Sequence, residues 1–225
     1  MSIRRSLAAE LQSGESYAFV LALLLASLFL VIVAPEDTWA RILRDAVVAA
    51  TLVLAYWTAT ARRAFLVPRV IVPSIALVFV VVGAFEGATT QAAAAAIGAA
   101  LTAWVAFLLA RDLAERRSVD PQTVLGALSF YVLFGYFFAS LFALVAEIGD
   151  GAFFTRGDDG SAGERLYFSF VTISTTGFGD LAPASGVGRA FVVLEIVVGQ
   201  LYLVTVVAIL VTAATRRFWT ERSPG

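Results

Sequence analysis

Six consecutive residues, Thr175-Thr176-Gly177-Phe178-Gly179-Asp180, carry the chemistry of this sequence, and most of that chemistry is main-chain. Glycine enters φ > 0 as readily as φ < 0, so Gly177 and Gly179 allow a backbone whose successive carbonyls point the same way. Several copies of such a ribbon, set in a ring, can replace the water shell of a monovalent cation. Oxygen ligands without a dense carboxylate ring suit a weakly held monovalent ion better than Ca²⁺. The run is too short to cross a bilayer and is flanked by stretches that can. At membrane depth, irregular backbone persists only where it is buried in protein or lines water. These residues therefore predict an ion-coordinating re-entrant loop, entered by a short helical run over 164–174.

Composition places that loop in a membrane. The chain has 225 residues, of which 60% are hydrophobic and 15% charged, with a mean hydropathy of +0.88. Soluble domains carry about 25% charged residues. All 16 basic residues are arginines and the net charge is −1, which gives a nucleic-acid partner no support. There is no cysteine and no histidine, so disulfides, thiol nucleophiles and imidazole relays are excluded and transition-metal sites have few ligands to draw on.

A hydrocarbon core of ~30 Å takes ~20 apolar residues in a helix. Four runs before the loop region fit: 17–34, 42–60, 70–85 and 91–110, the third with Pro68 and Pro73 near its start. Short connections at Pro35-Glu36-Asp37-Thr38 and Glu86-Gly87-Ala88 make two helical hairpins. The first run is longer than a signal-peptide core and reads as a retained span. Residues 1–16, with Ile3, Leu7 and Leu11 in helical register, read as an interfacial helix or a frayed terminus. Most arginines, among them Arg4, Arg5, Arg62, Arg63, Arg116, Arg117, Arg216 and Arg217, fall on one side if both termini are cytoplasmic. The run 91–110 contains no arginine, whereas a voltage sensor needs charges repeated along a span. Its Ala92, Ala96, Gly98 and Ala100 predict close helix packing instead. Asp120-Pro121 is a helix start, with a carboxylate cap and proline at the first position. A fifth, aromatic-rich span follows at 124–147, then a glycine-rich, exposed segment at 148–163, and a sixth span at 188–213. The domain reading is 1–16 N-terminal segment, 17–110 four-span region, 111–123 linker, 124–215 loop-bearing region and 216–225 short tail.

The run from Tyr167 to Pro183 resembles the pore loop of potassium channels, with Thr176 and Phe178 where the best-known TVGYG filter has Val and Tyr. The similarity continues through Gly188-Arg189 and Leu194–Tyr202, which look like the inner helix of bacterial single-pore channels, and covers roughly the last hundred residues. It implies an all-α integral membrane protein: a four-helix transmembrane scaffold plus a two-helix pore domain with re-entrant pore helix and selectivity filter, assembled as a homotetramer in the plasma membrane. Each chain supplies one quarter of each carbonyl ring, which is why a closed four-fold assembly follows.

By the same resemblance, carbonyls of Thr175, Thr176, Gly177 and Phe178, with the Thr175 hydroxyl and Gly179 beyond, bind permeant K⁺, and no other cofactor is implied. Asp180, Tyr167, Val171, Thr172 and Glu195 would support the filter. Val171 stands where some relatives place a glutamate that pairs with the filter aspartate, so Asp180 is expected to lack that partner. Tyr167 and Phe168 replace frequent tryptophans. Glu195 is the one acid well inside a span, a functional candidate because such groups are costly. It is expected to pair with Thr172 or Ser174 in filter support or pH sensitivity, or else to be a structural carboxyl. Gly199 stands at the family's inner-helix hinge and fits a bend or close packing equally. Leu203, Val207 and Val211 share one face, lining an apolar inner cavity or, alternatively, packing on the fifth span so that a face with Thr205 meets water. The competing readings are a weakly selective monovalent cation channel, a non-conducting membrane partner, and, remotely, an intramembrane enzyme, for which no nucleophile and base appear.

Overall fold

The computed structural model describes residues 16–60, 66–85, 87–116 and 120–221, and the elements named among the described residues are all α-helices. The reading of 1–16 as an interfacial helix therefore lies outside the described residues, Ser16 excepted. Seven helices follow in order: α1 (Ser16–Val33), α2 (Thr38–Thr60), α3 (Leu66–Gly83), α4 (Ala88–Glu115), α5 (Pro121–Ile148), α6 (Ala162–Ile173) and α7 (Gly186–Glu221). Four stretches are long and apolar enough to cross a membrane: Thr38–Thr60, Ala88–Glu115, Pro121–Ile148 and Gly186–Ile209. Tyr17–Val33 and Val70–Gly83 are shorter apolar helices.

Two boundaries differ from the sequence reading. Pro73 lies inside α3. α4 continues to Glu115 and α5 begins at Pro121, so at both its ends the expected 111–123 linker is helix. Arg111 and Glu115 form an i,i+4 ion pair at 3.2 Å that favours this extension. α5 starts as its sequence predicts: the Asp120 carboxylate accepts from the Thr123 amide at 2.8 Å and Pro121 opens the helix.

α4 and α5 form the central pair, with α1, α2 and α3 arranged on them. Contact on α4 runs along Ala94, Gly98, Leu101, Thr102, Val105 and Leu109, all buried. A Cβ at Gly98 would lie 3.1 Å from the Phe79 ring of α3 and 3.6 Å from Ser140 Oγ of α5. Close approach in lipid rests on such small residues, since apolar burial drives little there. The expected stripe is corrected in phase: Ala96 and Ala100 are exposed and Ala92 half-buried, because the larger Leu101, Val105 and Leu109 turn the Gly98 face inward.

Polar clamps close both ends of this scaffold. At one end Tyr17 Oη donates to Asp112 Oδ2 at 2.7 Å, Arg116 pairs with the same oxygen at 3.0 Å, and its guanidinium sits 4.9 Å above the Tyr17 ring. This joins α1 to the end of α4. Toward the other end, a cavity of about 130 Å³ between scaffold and α6 is lined by Arg44, Asp45, Gln91, Glu147 and Arg165 among others.

The 148–163 segment is less exposed than its glycines suggest. Phe153 and Phe154 are 2% and 1% exposed, packed with Phe138, Phe142, Phe168 and Leu181. Main-chain bonds from Thr155 N to Ala182 O (2.9 Å) and Ala184 N to Phe153 O (2.8 Å) tie it to the chain after the glycine loop. Two adjacent aromatics with a cluster to enter outweigh the local glycine content.

Candidate functional site

α6 is a twelve-residue helix whose start is over-determined. Ser161 Oγ accepts from Glu164 N at 3.0 Å, and the Glu164 carboxylate accepts from Ser161 N at 2.8 Å, a reciprocal capping box. Arg156 reaches the other Glu164 oxygen at 2.7 Å. The Ser161 amide, then the Arg156 guanidinium, hold the Glu164 carboxyl below its usual range. Leu166, Ser169 and Ile173, one face of α6, are buried against the flanking helices.

The helix ends in a main-chain knot that launches the loop. Ser174 N donates to Phe170 O at 3.1 Å and Thr175 N to Thr172 O at 2.9 Å. Thr176 N and Gly177 N both reach Val171 O, at 3.0 and 3.3 Å. Orphan carbonyls of the last turn are thereby satisfied by the loop itself. Ser174 Oγ and Thr176 Oγ1 are 2.8 Å apart.

The loop has positive φ at every second residue: Thr175 at 56°, Gly177 at 56° and Gly179 at 81°. Nothing lies within 4 Å of a Cβ built on either glycine, so glycine is needed there for its backbone and not for space. Thr175 is a β-branched residue in the left-handed region, a conformation that costs roughly 1–3 kcal/mol and concentrates at functional sites. Backbone alternating in handedness runs extended and turns successive carbonyls toward the same side. Thr175 to Asp180 are all exposed on the single chain, Phe178 at 70%.

Around the loop, some expected residues converge and others do not. Tyr167 stacks on Phe178, with centroids 6.5 Å apart, and its phenol is within electrostatic reach of Asp180. Asp180 therefore has a polar neighbour on α6, one turn before the Val171 position. Thr172 is buried and Val171 half-buried. Gln200 of α7 points its Nε2 at Thr175 Oγ1 at 3.4 Å, a contact that residue type alone did not single out.

Glu195 does not meet Thr172 or Ser174. It is 0% exposed, and Oε1 lies 2.5 Å from Ser169 Oγ, which in turn bonds Gly135 O at 2.9 Å. The reason is helical phase: Ser169 is on the α6 face turned to α5 and α7, whereas Ser174 is exposed beyond the helix end. Glu195 Oε2 has no hydrogen-bond partner. One hydrogen bond to a charged group returns about 1.5–3 kcal/mol, while an unpaired buried ion costs several kcal/mol.

Gly199 is buried, and a Cβ there would stand 2.5 Å from Ile173 Cγ1. α7 runs unbroken through it from Gly186 to Glu221, so close packing, not a bend, accounts for this glycine here. Further along, Tyr202 faces α5, donating to Ala127 O at 2.6 Å and meeting the Phe130 ring at 4.9 Å. Leu203 is half-buried and Val207 is 56% exposed; both line an open groove with Val204 and Ala208. The Val211 side chain lies outside the described residues.

Among the described residues no group of three or more Asp or Glu is placed to hold a metal ion. Residues 126–216, the stretch from α5 through the loop into α7, match a family model described as ion channel. No curated protein and no solved structure matches the chain. With several apolar helices around the matched stretch, the protein is a multi-pass membrane ion channel and not an enzyme, and such a channel needs no cofactor.

Proposed function

We propose that the chain is a potassium-selective channel that assembles as a homotetramer, with α6 as re-entrant pore helix and Thr175–Gly179 as selectivity filter. Carbonyls of Thr175, Thr176, Gly177 and Phe178 form stacked oxygen rings, and K⁺ moves through them in single file. The observation that carries this reading is the positive φ at 175, 177 and 179, a strained alternation with no packing reason at either glycine. The C-terminal end of α6, with its partial negative charge, abuts the loop and favours a cation there.

Assembly is supported by what α7 leaves uncovered. Only 11% of its apolar window is buried within one chain, against 39–44% in the other three long spans. Val193, Val197, Leu201 and Val204 are all at least half exposed. A four-fold axis would set these faces, and the exposed loops, around a common pore. α1–α4 complete six spans as a scaffold without a conventional voltage sensor, with both termini cytoplasmic in the plasma membrane. Gly199 and the Leu203, Val207, Val211 face belong to the wall below the filter.

The test is flux from K⁺-loaded liposomes holding the purified protein. A current reversing at the K⁺ equilibrium potential supports the reading. Equal Na⁺ and K⁺ permeation makes it a weakly selective cation channel, and no flux of either makes it a non-conducting partner.

A further inference from the structure

We propose that Glu195 acts as a neutral, protonated acid whose hydroxyl donates to Ser169, forming a three-helix strut that positions the ion-coordinating loop. The reasoning is a count of protons. Gly135 O is a backbone carbonyl and can only accept, so the 2.9 Å contact from Ser169 Oγ uses the single hydroxyl hydrogen of the serine. Ser169 Oγ is also 2.5 Å from Glu195 Oε1. An ionised carboxylate is acceptor-only, and would compete with Gly135 O for that one hydrogen. A protonated carboxyl removes the conflict: Glu195 donates to Ser169, and Ser169 donates to Gly135.

The surroundings agree. Glu195 is fully buried, its second oxygen has no hydrogen-bond partner, and no cation acts on it among the described residues. From α6 the facing group is the Ser169 hydroxyl; from α5 it is the Gly135 carbonyl, with the Tyr131 phenol the titratable group within electrostatic reach. None of these supplies the charge that a buried carboxylate requires.

The strut joins α7 to α6 and α5 one helical turn before Gly199, where α7 touches Ile173 at the end of α6. Movement of α7 is thereby transmitted to the helix that carries the loop. Glu195 is thus a positioning residue. Its proposed role rests on the channel reading for its consequence but not for its protonation state.

Infrared difference spectra between wild type and Glu195→Gln, taken in lipid at neutral pH, should show one protonated-carboxyl carbonyl band missing from the variant. A difference confined to carboxylate bands overturns the proposal, whatever the channel conducts. In the liposome assay, Glu195→Gln should keep wild-type flux because its amide donates the same bond. Glu195→Ala and Ser169→Ala should each lose about tenfold, the size of one buried hydrogen bond, and the double variant should be no worse than either. Alkaline pH should depress wild-type flux and spare Glu195→Gln. Equal losses in Glu195→Gln and Glu195→Ala would mean that a charged carboxylate is required. If wild type passes Na⁺ and K⁺ equally, the potassium reading fails while the infrared result still decides the strut.

Discussion

Tyr167 on α6 and Phe178 in the glycine loop lie ring on ring, their planes 2° apart and their centroids 6.5 Å apart. The same tyrosine presents its phenol to Asp180. One side chain therefore holds the loop both by packing at Phe178 and by a polar contact two residues on. A loop with three positive φ angles and almost no burial has few other restraints, which makes this pair a sensitive place to probe it.

Removing only the polar half is achieved by Tyr167→Phe. The stack survives and the Asp180 contact is lost, so a small loss of stability is expected, with faster decay of flux and little change in ion preference. Tyr167→Ala removes both halves. The extra loss should be modest, because Phe178 is mostly exposed on the single chain. Thermal unfolding in detergent, read beside the liposome decay rate, separates the two.

Gly199→Ala sets two effects against each other. Alanine favours helix over glycine by ~1 kcal/mol, yet its Cβ would stand 2.5 Å from Ile173 Cγ1. Overpacking typically costs about 1–3 kcal/mol, so a net loss of stability is expected. Combining it with Ile173→Ala should restore part of that loss, giving non-additive melting temperatures. Simple additivity would show that the contact is not what constrains this position.

The Glu164 clamp predicts an acid sensitivity with a definite sign. Its carboxyl is held below the usual range by the Ser161 amide and then Arg156, so its stabilisation is present above the ordinary carboxylate pKa and lost as pH falls through the lowered one. The ordinary value is about 4.3. Glu164→Gln should therefore be less stable than wild type at pH 7, and the gap should close on acidification through and below that region. Both partners are exposed by 39%, so solvent screening holds the effect to about 0.5–1 kcal/mol. Melting temperatures of both proteins across pH check the crossing.

At the opposite end, Tyr17→Phe deletes the hydroxyl that bonds Asp112 and leaves the Arg116–Asp112 pair intact. A loss of about 1.5–3 kcal/mol is expected for a bond to a charged group. Asp112→Asn should cost more than Tyr17→Phe, because it weakens the contacts of Tyr17 and Arg116 together. Melting temperatures of both single variants provide the comparison.

The hydrophobic runs, the Asp120-Pro121 start and the glycine alternation were all legible in one dimension, since each depends on local backbone chemistry or on the length of an apolar run. Positions governed by the facing surface were not. Ser169 carries no mark that distinguishes it from Thr172 or Ser174 until the phase of α6 against α5 and α7 is known. Gly98 and Gly199 look alike as helix glycines until Phe79 and Ile173 arrive beside them. Phe153 and Phe154 sit in glycine-rich sequence and are nevertheless core, because Phe142 and Phe168 leave a place for them.

By itself, then, the order of residues determined that this protein lives in a membrane and carries one glycine loop able to present main-chain oxygens. Only the packing of α5, α6 and α7 decided which hydroxyl meets Glu195, which ring meets Phe178 and why Gly199 lacks a side chain. The physical reason is that backbone preference is written residue by residue, whereas a contact exists only when two helices fix their rotation relative to each other.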